Sequence, residues 1–118
     1  MFLISLGSFS DKAVKEIISP GNTNDFHGGE METSMAMAIN ENLVDLKTSQ
    51  KSHYKYKKED GKLNFSGPLA LPWLAEDFIN DQGEPLGIGG LPSGASAQKG
   101  EIILEISARD CSEGIVEN

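Results

Sequence analysis

The chain has 118 residues, with 10 Lys+Arg against 18 Asp+Glu and a formal net charge of −8. That length suits one domain over residues 1–118, and 38% hydrophobic with 24% charged residues is the composition of a globular protein. The acid excess repels phosphates, so nucleic acid is not an expected partner, and no apolar run approaches the ~20 residues of a bilayer span, so neither is a membrane.

Phe2 to Leu6 is a short apolar run bounded by turn residues, which suits a buried strand. It has no basic leader, so no secretory signal is expected. Cys111 is the single cysteine, so no internal disulfide can form, and the expected location is cytoplasmic. From Ser10 the pattern turns helical, with Val14, Ile17 and Ile18 on one face and Ser19-Pro20-Gly21-Asn22 as the stop. Strand then helix opens an α/β unit.

A second helix is predicted from near Gly29 to Asn40. Met31, Met35, Ala38 and Ile39 recur at the spacing of a core-facing stripe, flanked by Glu30 and Glu32, with Thr33 pointing away. Leu43 to Leu46 is apolar but too short to classify. Residues 47–66 form a predicted lysine-rich loop or hairpin. Six of the ten basic residues lie between Lys47 and Lys62, among His53, Tyr54 and Tyr56. Basic and aromatic residues together can bind nucleic acid. The rest of the chain carries sixteen acids and four bases, which favours a solvated hairpin with its turn at Glu59 to Lys62.

Gly67 to Leu74 reads as an extended edge or loop because of its prolines, and Glu76 to Glu84 as an acidic, exposed stretch. Gly87 to Pro92 is a glycine loop without the Lys-Ser/Thr of a phosphate cradle. Ser93 or Ser96 can cap a last helix whose buried face is Ile102, Ile103 and Ile106. Gly100 inside that helix costs about 1 kcal/mol relative to alanine, which points to close approach of another backbone. Residues 112–118 are expected to fray.

The densest chemistry lies in Asn24 to Ser34, where an imidazole, three carboxylates, two hydroxyls and two glycines meet a loop entering a helix. Unsatisfied first-turn amides and flexible glycines suit a metal or an anionic intermediate there. Acids in a first turn also suit the helix dipole without any function, and the spacing of His27 to Glu30 and Glu32 is not a diagnostic metal pattern. Both readings stay open on the residues alone.

His27-Gly28-Gly29-Glu30-Met31-Glu32-Thr33-Ser34, followed by Leu43-Val44, resembles the creatininase (creatinine amidohydrolase) motif His-Ala-Gly-Glu-x-Glu-Thr-Ser. Gly87 to Pro92 and Ser96-Ala97-Gln98-Lys99-Gly100-Glu101 resemble the same family's Gly-Val-Ile-Gly-Asp-Pro and Thr-Ala-Glu-Lys-Gly segments, in the same order. The resemblance implies a three-layer α/β/α fold of which this chain is the C-terminal part only. It also implies divalent metal ions (zinc or manganese) and hydrolysis of a cyclic amide or formamide C–N bond that is not a peptide bond. By that resemblance His27 and Glu32 are catalytic, Glu32 and Glu30 bind metal, and Asp25, His27 and Gly28 bind the small-molecule amide substrate.

The family's earlier segments, a Glu-x-His…Asp stretch and an Asn-Gly-His-Gly-Gly-Asn loop, do not occur in this sequence. The expectation is therefore that further metal ligands come from outside the chain, through an N-terminal partner or a homo-oligomer, and that the chain alone is inactive. Phe26 and Thr23 replace the acid and tryptophan of creatininase itself, which argues against creatinine as substrate. Leu91 replaces the aspartate of the late glycine loop. A non-catalytic assembly or binding subunit that keeps the fold is the alternative.

Overall fold

A computed structural model describes residues 15–20, 27–55 and 74–117. The strand expected at Phe2 to Leu6, Asp25, the prolines before Trp73 and the turn at Glu59 to Lys62 lie outside those residues. Only the end of the first predicted helix falls inside: residues 15–17 are helical and the chain turns at Pro20, whose ring disfavours helix at Ser19.

Helix α1 spans Glu30–Ile39, with Gly29 as an N-cap that makes no side-chain bond. It stops at Asn40, whose side chain accepts from the Asn42 amide at 3.0 Å and starts a 3-10 turn over Glu41–Leu43. Asp45 likewise accepts from the Lys47 amide at 3.0 Å, opening a second turn over Leu46–Thr48. These side chains take up amides that a helix or strand would have used, so the apolar residues between them join neither. Helix α2 spans Ala97–Glu117 and is about 30 Å long. Ser96 caps it, its Oγ accepting from the Lys99 amide at 3.2 Å. Within the described residues the helix runs on past Ser112 to Glu117. Gly114 is the one helix-breaking type on that path, and it costs only about 1 kcal/mol.

The two helices pack against each other, and the contact corrects the expected stripe. The buried residues of α1 are Glu30 and Ser34, while Ile39 is 74% exposed and Met31 and Met35 are half-buried. The cause is Gly100 on α2. A Cβ there would stand 1.9 Å from the Ser34 carbonyl oxygen and 2.9 Å from the Ala38 Cβ. Helix backbones that close leave room only for small side chains between them. On α2, Ile103 is buried, Ile106 half-buried and Ile102 exposed, with Ser107 buried one turn on from Ile103.

Strands β1 (His53–Tyr54) and β2 (Phe78–Ile79) pair antiparallel, with His53 opposite Ile79 and Tyr54 opposite Phe78. The Tyr54 and Phe78 rings lie 5.5 Å apart, a favourable cross-strand pair. The chain then reverses. Asn80 Oδ1 accepts from the amides of Gln82 and Glu84, Gly83 takes φ +83°, and Ile79 bridges Pro85. Two packed helices and a small antiparallel sheet are compatible with an α/β fold. The described residues contain no larger sheet and do not delineate three layers.

The stretch Glu76 to Glu84, expected exposed, is corrected here: Asp77, Phe78 and Asn80 are buried. Phe78 anchors the sheet, and Asp77 is tied down on both carboxylate oxygens. Lys55 Nζ lies 2.8 Å from Oδ1, and the Leu74 amide donates to Oδ2 at 2.7 Å. The Lys55 hydrogen bond, followed by the Leu74 amide, holds the Asp77 carboxyl below its ordinary value of 3.8. A depressed folded value means that the stabilisation is intact above 3.8 and is lost as pH falls through the lower folded value. Asp77→Asn should therefore lower the urea midpoint at about pH 6 and make little difference at about pH 2. An equal loss at both would show that Asp77 acts through packing.

Candidate functional site

The two glycine-bearing segments meet in space. The His27 amide donates to the Gly89 carbonyl at 3.4 Å, and the Gly89 amide returns a bond to the His27 carbonyl at 2.6 Å. Gly28 follows with φ +64°, where a Cβ would lie 2.9 Å from Ile88 Cγ2. Only glycine takes that backbone conformation without strain, and only glycine fits beneath Ile88. The late loop is held from its other side by the buried Ser52, whose Oγ donates to the Ile88 carbonyl at 2.5 Å and accepts from the Gly90 amide at 3.1 Å. Ser52 leads into β1, so the sheet positions the loop and the loop positions His27.

Beyond Gly28 the helix begins. The Gly28 amide donates to Glu32 Oε2, so the Glu32 side chain folds back over the start of α1 and takes up the donor just ahead of the N-cap Gly29. His27 and Glu32 are both exposed. Glu30 points the opposite way and is 0% exposed. Its carboxylate accepts from the Ser19 amide at 3.1 Å on both oxygens, from Ser19 Oγ at 2.9 Å on Oε1, and from Lys99 Nζ, also on Oε1. Lys99 Nζ further donates to the Gly94 carbonyl at 2.9 Å and to Ser19 Oγ at 3.2 Å, which uses all three ammonium donors. A Cβ on Gly94 would stand 2.8 Å from Glu30 Cδ and Oε2. One turn further, the Ser96 amide donates to Ser34 Oγ at 3.2 Å.

An open cleft of about 300 Å³ lies beside Gly28. Val44, Leu46, Leu86, Ile88 and Pro92 give it apolar walls, and Thr33, Asp45, Thr48, Ser49 and Gln50 give it polar ones. Among the described residues no Lys, Arg or His lines it. Its only charged wall among the described residues is the Asp45 carboxylate, so that part of the cleft suits an uncharged or cationic group and disfavours an anion.

Of the residues expected at the site, His27, Gly28 and Glu32 lie together at the start of α1, Glu30 is turned inward, and Asp25 lies outside the described residues. Lys99, Ser19 and Ser52 were not anticipated as partners of the motif. The Lys-Gly pair of the later segment was the one available signal for Lys99, whereas Ser19 and Ser52 carry none. The resemblance implies a divalent metal. Among the described residues no three His, Cys, Asp or Glu side chains are grouped to hold one, and the Glu30 carboxylate is already taken by an ammonium. The donors described therefore do not make up a metal centre. Nor is any helix among the described residues long and apolar enough to cross a membrane.

Comparison with curated proteins and with solved structures finds no match. The family profile described as Creatininase: Creatinine amidohydrolase matches residues 3–115, nearly the whole chain. Both contacting segments fall within that match, and the chain belongs to the creatininase family.

Proposed function

We propose that the chain supplies the substrate-facing wall of an amidohydrolase site that acts on a C–N bond outside peptides, in a cyclic amide or a formamide. What supports this is the family match together with the docking of the two motif segments, which sets His27 and Glu32 at one helix start, next in sequence to Gly28 and Thr33 of the cleft wall. Amide cleavage needs a group that moves a proton to the departing nitrogen, and an exposed imidazole, whose ring nitrogens can take up or give a proton, is suited to that. Glu32, facing outward from the same turn, is suited to orient the substrate or to hold an ion, while Gly28 and Asp25 border the substrate. The cleft accommodates the amide's apolar, non-anionic part.

In this reading a zinc or manganese ion would be bound largely by donors outside the described residues, in a three-layer domain of which this chain is the C-terminal part. Either a second copy or an N-terminal partner completes it, in the cytoplasm. The exposed Ile39, Leu43, Ile115 and Val116 are in keeping with such an assembly. The chain alone is expected to be inactive. The test is hydrolysis of a panel of formamides and small lactams by the chain co-expressed with its partner and supplied with zinc or manganese. His27→Ala should cost about 10²–10⁴-fold in turnover. Equal turnover in parent and variant, or no hydrolysis and no metal uptake by the assembly, would leave the alternative of a binding subunit, which the ammonium seated on Glu30 favours.

A further inference from the structure

We propose that Glu30 is the internal counter-ion of Lys99 and not a metal donor, and that Lys99 is thereby a positioning residue for His27 and Glu32. The second half of this inference rests on the reading that those two residues carry the chemistry. Three observations converge on it. Glu30 is fully buried, and a buried carboxylate needs a cation and hydrogen bonds to remain charged; Lys99 and Ser19 supply both. Every donor of Lys99 is directed into this one cluster, to Glu30, Ser19 Oγ and the Gly94 carbonyl, so the ammonium is seated and not merely nearby. The carboxylate also packs against bare backbone at Gly94, where even a methyl group would come within 2.8 Å. A metal taking Glu30 as donor would have to evict the ammonium and find further donors there, and the described residues offer no such group.

The positioning role follows from where Glu30 stands. It lies in sequence between His27 and Glu32, at the first residue of α1, and is held from the later segment by Lys99. Glu32 reaches back to the Gly28 amide, and the His27 backbone pairs with Gly89. A carboxylate freed from Lys99 would seek water, and the turn carrying both outward-facing residues would turn with it.

The experiment uses the full chain in its assembled state, with Zn2+ alone as the metal probe, and compares Glu30→Gln, Lys99→Met and the double variant. Glu30→Gln keeps the shape and hydrogen-bonding oxygen but removes the charge. Zinc affinity should stay within about twofold of the parent in Glu30→Gln, where loss of a true ligand or its support costs about tenfold or more. Lys99→Met should speed hydrogen exchange at the Gly28 and Thr33 amides by about tenfold and shift the His27 imidazole resonances. The double variant should reverse most of both effects, because it removes the stranded charge. A tenfold loss of zinc affinity in Glu30→Gln overturns the proposal, as do multiplicative exchange effects in the double variant. If the parent takes up no zinc, the cycle and the His27 resonances decide alone. None of these readouts needs turnover, so a failed hydrolysis assay beside an intact cycle removes only the reading of the chemistry.

Discussion

Lys99→Met is expected to lower the stability of the chain by about 3–5 kcal/mol, the usual cost of removing one partner from a buried ion pair. Methionine keeps an unbranched apolar stem that ends one atom short of the lysine nitrogen, so the loss would arise chiefly from the charge and its hydrogen bonds. The size of the effect follows from the asymmetry of the pair. Lys99 is 27% exposed and could find water, but Glu30 is 0% exposed and could not. Urea unfolding should show a lower midpoint with an unchanged slope. A loss below about 1 kcal/mol, typical of a solvated surface pair, would mean that water reaches the carboxylate.

Gly100→Val should cost about 3 kcal/mol, the upper end for overpacking, and separate α1 from α2. By intrinsic preference, replacing a mid-helix glycine should help the helix by several tenths of a kcal/mol. The sign is reversed here because the first added carbon would stand 1.9 Å from the Ser34 carbonyl oxygen. That oxygen belongs to the backbone and cannot swing aside as a side chain could. Gly100→Ala carries the same carbon and should destabilise as well. An alanine variant with the parent's thermal midpoint would show that the two helix backbones do not meet this closely at Gly100.

The sequence read well where the determinant was local. The bounds of α1 follow from the Gly-Gly pair before it and the Asn-Glu-Asn after it, and Ser96 caps α2 by a rule confined to four residues. Gly100 was legible as a cost without a local reason, and its reason proved to be the backbone of Ser34. The core face of α1 was legible only at Ala38. Periodicity assumes that apolar residues face inward, but the partner surface here is a glycine, so the inward positions went to Ser34 and Ala38 and the methionines moved to the sides. Nor was the burial of Glu30 legible, since its cation stands 69 positions along the chain. The same holds for Asp77, where an acid-rich stretch suggested exposure and the lysine that neutralises it follows directly on β1, more than twenty positions earlier in the chain. At the site, the motif indicated which residues gather at the helix start. The direction each carboxylate faces depended on distant partners that no spacing encodes.

The separation between the two halves of the site also has a bearing on how the protein comes into being. The contacts that seat Glu30 and Ser34 close loops of 69 and 62 residues, and long-range closures of that kind are entropically costly and slow to nucleate. During synthesis α1 leaves the ribosome with an uncompensated acid on its inward face, and it stays in that state until Lys99 has emerged. The pocket-bearing turn is thus among the last parts to mature, and the stage at which the nascent chain most needs protection from aggregation is the interval between the two segments.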